Sequence, residues 1–269
     1  MLNFTRKPRY DYNDLLEIVR LLRSAEGCPW DRVQTHQSIR RGLLEEAYEA
    51  AEAIDTEDTA LLREELGDVL MQVVFHADIE KDAGRFTMDD VCDGVVKKLL
   101  FRHPHVFGGT MQADNSEQVL VNWEVLKRQE KGQRSTADAI ESVPHTLPAL
   151  WRAEKTASKT AKAGFDWDDP LRALDKLEEE VRELRAAMES GKAPEDPHGL
   201  REELGDVLFM AAKIGQMTGT DPEDALHRSC DKFDSRFRFV EESADKPLSD
   251  CGEAELLALW REAKTKEKS

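Results

Sequence analysis

Apolar residues recur with a helical period along almost the whole chain. Leu15, Leu16, Ile18, Val19 and Leu22 predict a first helix, and Gly27-Cys28-Pro29-Trp30-Asp31 breaks it. Leu43, Leu44, Ala47, Tyr48, Ala51 and Ile54 follow the i, i+3, i+4, i+7 pattern of an amphipathic helix. Leu62, Leu66, Val69, Leu70, Val73, Val74 and Ala77 predict a more apolar one. Residues 89–101 predict another, with Val91, Val95, Val96 and Leu99 facing inward and Pro104 ending it. Residues 116–130 form a further helix, capped by Asn115 or Ser116. The pattern lapses at 132–148, where Gly132, Pro144 and Pro148 predict a linker. It resumes at 149–163, then at Leu171, Leu174, Leu177, Val181, Leu184 and Met188. After a loop at 191–199, helices are expected at 200–217, from Pro222 to about 242, and at 253–264. Alternating β-branched runs are absent, so the expected fold is all-α, with a module at 1–131 and a second at 149–269.

The two modules are copies. LREELGDVL occurs at 62–70 and again at 200–208. Gly27-x-x-Trp30-Asp31 pairs with Gly164-x-x-Trp167-Asp168, Lys98-x-x-x-Arg102 with Lys232-x-x-x-Arg236, and Trp123-x-x-x-Lys127 with Trp260-x-x-x-Lys264. These offsets lie between 134 and 138 and keep one order, which is the signature of a duplicated unit.

Each copy holds a carboxylate cassette of the form E-E-x-x-E, a gap, then E-x-x-D. The first is Glu45, Glu46, Glu49, Glu65 and Asp68; the second is Glu179, Glu180, Glu183, Glu203 and Asp206. Residues three and four apart share a helix face, so an antiparallel helix pair brings four or five carboxylates together. Like charges repel, and oxygen-only donor sets select hard cations such as Mg²⁺, which in such sites commonly also holds substrate phosphates. A single E-E-x-x-E in an acidic chain is usually a solvated face; two copies with matched satellites argue for a site. A carboxylate di-iron centre needs Glu-x-x-His on helices, and here that pattern is confined to Glu195–His198 in the expected loop.

The satellites suit a nucleotide. Lys232 and Arg236 stand one turn apart and can grip phosphates, Arg as a fork and Lys as a point charge. Trp260 can stack on a base or cover a sugar, with Lys264 one turn along, although a tryptophan alone is more often a core anchor. Trp30 and Trp167 read as plugs in the helix layer, and His103 and His105 as a turn after a helix. Gly67 and Gly205, kept in both copies, suggest a close helix or metal approach.

Composition narrows the partners. Lys and Arg number 38 against 55 Asp and Glu, for a net charge of -17, which disfavours nucleic acid and requires cations to mediate any anionic ligand. No apolar run approaches a membrane span, and the N-terminal stretch lacks the apolar core of a signal peptide. Cys28, Cys92, Cys230 and Cys251 are scattered, as expected of a cytoplasmic protein. The greasy helices at 62–77 and 200–217 predict a homodimer.

At these motifs, and at GCPWD (27–31), RHPHVF (102–107) and GFDW (164–167), the chain resembles the MazG family of nucleoside triphosphate pyrophosphohydrolases, in its two-domain bacterial form. The resemblance implies two tandem four-helix modules, dimerisation, Mg²⁺ dependence and hydrolysis of nucleoside triphosphates to monophosphate and pyrophosphate. It implies that Glu179, Glu180, Glu183, Glu203 and Asp206 bind Mg²⁺ and act in catalysis. It assigns nucleotide contacts to Lys232, Arg236, Trp260 and Lys264, with Lys127 also reaching substrate. Glu45, Glu46, Glu49, Glu65 and Asp68, with Lys98 and Arg102, form a second candidate site. The expected chemistry is in-line attack of water at the α–β bridge, with a cassette glutamate as base. The expectation is that the second half is the more active, because Lys232 and Arg236 lie inside one long helix whereas Arg102 sits at a helix end. The rival expectations are a protein that senses or scaffolds Mg–nucleotide without turnover, and a helical module whose acidic faces bind basic partners.

Overall fold

The computed structural model describes residues 2–108, 115–191, 193–196 and 198–266, and every described regular element is helical. Two compact units divide the chain, Met1–Lys127 and Arg128–Ser269.

The first unit contains α1 (Tyr12–Arg23), α2 (His36–Asp55), α3 (Thr59–Asp82), α4 (Met88–Arg102), the single-turn α5 (Pro104–Phe107) and most of α6 (Ser116–Glu130). Local chemistry sets the starts. Asp11 with Asp14, and Thr35 with Ser38, form capping boxes for α1 and α2. Asp58 accepts from the amides of Ala60 and Leu61 to start α3. Asn115 Oδ1 accepts from the Gln118 amide at 2.9 Å, so Asn115 starts α6. Between α2 and α3 only 56–58 intervene, with Glu57 left-handed at φ 55°, and the two helices form an antiparallel hairpin. Val19 of α1, Ile39 of α2, and Val74 and Phe75 of α3 make the core, with Leu15, Leu16, Ile79 and Met88 against it. A polar network fastens the open end of the hairpin. His36 Nδ1 lies 2.7 Å from His76 Nδ1, His36 Nε2 lies 2.5 Å from Glu80, and Arg85 also pairs with Glu80.

The second unit contains α7 (Thr136–Glu141), α8 (Ala149–Ala161), α9 (Pro170–Ser190), α10 (Leu200–Thr218), α11 (Pro222–Ser243) and α12 (Glu253–Lys266). The segment read as a linker thus carries a helix, and α7 packs on α8. Asp169 and Asp221 cap α9 and α11, each followed by Pro at the helix start. Trp151 Nε1 donates to the Asp221 carboxylate at 3.0 Å, pinning α8 to the start of α11. Lys213, 3% exposed, pairs with Asp166 at 2.6 Å and fixes the GFDW turn to α10. The loop expected at 191–199 is irregular at its described positions; Lys192 and Pro197 lie outside the described residues.

Several expected faces turn out differently. On α2 the buried residues are Ile39, Ala50 and Ala53, while Leu44, Tyr48 and Ile54 are exposed. No residue of α4 is buried: Val95, Val96 and Leu99, expected to face inward, are 42–50% exposed. Leu66 and Leu70, and their counterparts Leu204 and Leu208, are exposed as well. Periodicity shows that a helix has an apolar face; it does not show whether that face is covered by the same chain. Trp30, read as a plug, is 64% exposed. A Cβ on Gly67 or Gly205 would meet nothing within 4 Å, so no neighbouring helix of this chain explains these glycines.

Candidate metal and nucleotide site

The hairpins α2–α3 and α9–α10 each gather three carboxylates, but not all from matched positions: Glu46 and Glu65 correspond to Glu180 and Glu203, whereas the third member is Glu49 of α2 in the first and Asp206 of α10 in the second. Glu46, Glu49 and Glu65 present carboxylate oxygens within 4.8 Å of one another, and so do Glu180, Glu203 and Asp206. Two helices contribute to each trio, and Glu65, Glu180 and Glu203 are buried. Buried carboxylates this close repel unless a cation or protons intervene. Burial first, then Asp68 and Glu49, raises the Glu46 pKa above the ordinary carboxylate value. The Glu65 carboxyl is likewise pushed up, by burial and then by Glu49 and Asp68. In the second unit burial and then Glu180 raise both Glu183 and Asp206. Asp68 and Glu183 therefore belong to the electrostatic field of the trios without completing them. All the donors are carboxylate oxygens, which fits a divalent hard cation.

The first glutamate of each E-E-x-x-E lies outside its trio. Glu45 pairs with Arg41 at 2.6 Å and Glu179 with Lys176 at 2.9 Å. One residue along a helix is a rotation of about 100°, so consecutive glutamates cannot face one ion equally.

Two neighbours were not expected there: Lys176 escaped the sequence reading, and His198 entered it only in the rejected di-iron pattern. Lys176 Nζ lies 2.9 Å from Glu179 and 2.9 Å from Glu180, an ammonium inside the second cassette, and the two carboxylates hold its pKa well above the ordinary lysine value. Its i, i+4 spacing to Glu180 was the available signal. At the matching place in the first unit stands Gly42, where a Cβ would come 2.9 Å from Gln72 Nε2. His198, left-handed at φ 54°, opens the turn before α10 with Nδ1 at 3.6 Å from Glu203. Left-handed backbone at a non-glycine residue concentrates at functional sites.

Among the satellites, the duplicated Arg–Trp pair is a contact in both units. The Arg236 guanidinium lies over the Trp260 ring at 6.0 Å, and Arg102 over Trp123 at 5.8 Å. Arg102 ends α4, yet it reaches its tryptophan as Arg236 does, so a helix end has not loosened it. Trp260 also meets Phe233 at 5.1 Å and walls an apolar cavity of about 770 Å³ between α11 and α12, with Phe237, Val240 and Leu256. Lys232, Lys264 and Lys98 are exposed, and Lys127 is partly buried on α6.

Comparison with known proteins agrees with this arrangement. The profile of the MazG nucleotide pyrophosphohydrolase domain matches residues 34–107 and again 169–240, each match spanning one hairpin. The chain is 41% identical over 256 residues to "Nucleoside triphosphate pyrophosphohydrolase/pyrophosphatase MazG" of Thermotoga maritima, covering 94% of this chain and 95% of that protein. It is 43% identical to "Nucleoside triphosphate pyrophosphohydrolase" of Escherichia coli K12, over 84% of this chain and 86% of that one. It is also 44% identical to the uncharacterized protein YabN of Bacillus subtilis, over 96% of this chain and 53% of that protein.

Proposed function

Because this chain belongs to the MazG nucleotide pyrophosphohydrolase family, we propose that it hydrolyses nucleoside triphosphates to monophosphate and pyrophosphate, with Mg²⁺ as cofactor and the second unit as the main site. The observation that carries this reading is the carboxylate trio Glu180, Glu203 and Asp206, drawn from two helices and free of sulfur or imidazole donors. Bound there, Mg²⁺ supplies charge neutralisation to the triphosphate and Lewis acidity at phosphorus. Glu183 stands beside the trio with a raised pKa and takes the role of general base for the attacking water. Lys232 and Arg236, one turn apart on α11, hold phosphate oxygens. The base enters the apolar cavity walled by Trp260, where stacking and burial retain it.

The working form is a homodimer. The chain exposes 19267 Å², against about 14,000 Å² for two independent compact bodies of half its mass. The stripes Leu66–Leu70 and Leu204–Leu208, together with α4, are the apolar faces that a second copy covers. Cytoplasmic placement agrees with four unpaired cysteines, and among the described residues no helix is long and apolar enough to cross a membrane.

A panel of nucleoside triphosphates with Mg²⁺, scored for pyrophosphate against phosphate, tests the activity. Release of pyrophosphate and monophosphate supports it; intact nucleotide after a single-turnover incubation would leave a sensor of Mg–nucleotide instead.

A further inference from the structure

The duplication makes one substitution informative. Arg102 and Arg236 are matched positions, and the next residue is His103 in the first unit and Phe237 in the second. Phe237 stacks on Phe233 at 6.2 Å and lines the cavity beside Trp260, so no polar atom of this residue meets a ligand there. His103 instead sets its ring against Trp123, at 5.7 Å between centroids and 62° between planes, while Arg102 covers the same indole.

The imidazole has a fixed polarity. His103 Nδ1 lies 2.7 Å from the Leu99 carbonyl oxygen, which also accepts the His103 amide at 3.1 Å. A carbonyl oxygen only accepts, so Nδ1 carries the hydrogen and the neutral ring has its lone pair on Nε2. The second unit thus offers a base a largely apolar wall, to which Ser249 and Glu253 add polar side chains, and the first offers an aromatic face with a hydrogen-bond acceptor next to it. An acceptor pairs with an exocyclic amino group and repels a carbonyl oxygen in the same place.

We propose that the Arg102–His103–Trp123 cluster is a second nucleobase site, selective for amino-edged bases (adenine, cytosine) over their keto counterparts (hypoxanthine, uracil). This rests on the nucleotide reading of the duplicated satellites and adds the substrate class of the first unit.

The test uses the full chain, Mg²⁺ and α,β-methylene analogues of ATP and ITP, at about pH 8. Calorimetry should find two sites for the ATP analogue. The ITP analogue should bind the first site at least about tenfold more weakly than the ATP analogue does. In protein labelled with ¹⁵N-histidine, the ATP analogue should shift the His103 Nε2 resonance and the ITP analogue should not. His103→Phe should bring the two analogues to within about twofold of each other at the first site. Equal first-site affinities, or an Nε2 resonance unmoved by the ATP analogue, overturn the proposal without need of the variant. A single site that is lost in Trp260→Ala overturns it too, yet leaves hydrolysis by the second unit standing. Binding at neither site would remove both.

Discussion

The two cassettes share nine consecutive letters and the same hairpin geometry, and they differ in what surrounds the carboxylates. In the second, Lys176 holds Glu179 and Glu180 from within the site. In the first, the matching residue is Gly42, packed near Gln72, and Glu45 is tied outward to Arg41. Both cassettes raise two carboxyl pKa values, at Glu46 and Glu65 in the first and at Glu183 and Asp206 in the second, and the second adds an ammonium of its own. At the outer ends of the hairpins the contrast reverses. The first unit has the His36–His76–Glu80–Arg85 network, whereas His76 and Glu80 correspond to Ile214 and Thr218 in the second. The two units keep the cassette carboxylates and differ in their supports, because an acidic cluster can be tolerated in more than one way.

The strongest way to break this comparison is to silence one cassette at a time. Glu203→Ala should lower pyrophosphate release by orders of magnitude, and Glu65→Ala should spare most of it, both measured on folded protein with Mg²⁺. The opposite result would exchange the roles of the halves.

Removing the internal counter-ion should make the second cassette behave more like the first. Lys176→Met should lower the melting temperature of the metal-free protein and enlarge the rise that Mg²⁺ produces, because ligand binding stabilises only the folded state. A Mg²⁺-induced shift identical to that of the unaltered chain would show that the ammonium does not compete with metal.

A smaller effect separates the units by pH. The carboxyls of Glu46, Glu65, Glu183 and Asp206 have raised folded-state pKa values. Their stabilising contribution is present below the ordinary carboxylate range and is lost as pH rises through the raised values. Both units should therefore soften toward neutral pH without metal and recover with Mg²⁺. Glu80 has the opposite sign: Arg85 foremost, then His36, lowers its pKa from 4.5 to about 2. Its contribution is present above 4.5 and is lost as pH falls toward about 2, while Asp14 and Asp90 in the same unit and Asp138, Glu179 and Glu255 in the second also have lowered values. Hydrogen exchange on the metal-free protein should show the first unit losing protection in that acid window, and Glu80→Gln should reduce that loss. A first unit whose acid profile ignores Glu80→Gln would mean that the network is not a support.

Much of this molecule is a local matter and was legible early. Helix extents follow from a 3.6-residue period and from caps such as Asp11, Thr35 and Asp169, and the acidic cassettes follow from carboxylates spaced three and four apart on helices. Even the family is carried by such short-range patterns, since the matched profile covers both hairpins. What the sequence left open depended on neighbours distant in the chain. Periodicity gave α2 and α4 their apolar faces, but the packing of α1 on α3 buried Ile39 and left Leu44, Tyr48 and Val96 exposed. Trp30 and the open sides of Gly67 and Gly205 are of the same kind. The pairing of Arg102 with Trp123 brings together residues more than twenty positions apart, and it is what puts the His103 ring against an indole. The sequence by itself determined which groups carry charge and which helices carry them. Only the tertiary structure decided which carboxylates meet, which pair with a lysine or arginine, and which greasy faces remain to be covered, because those outcomes depend on contacts between helices and not on spacing within one.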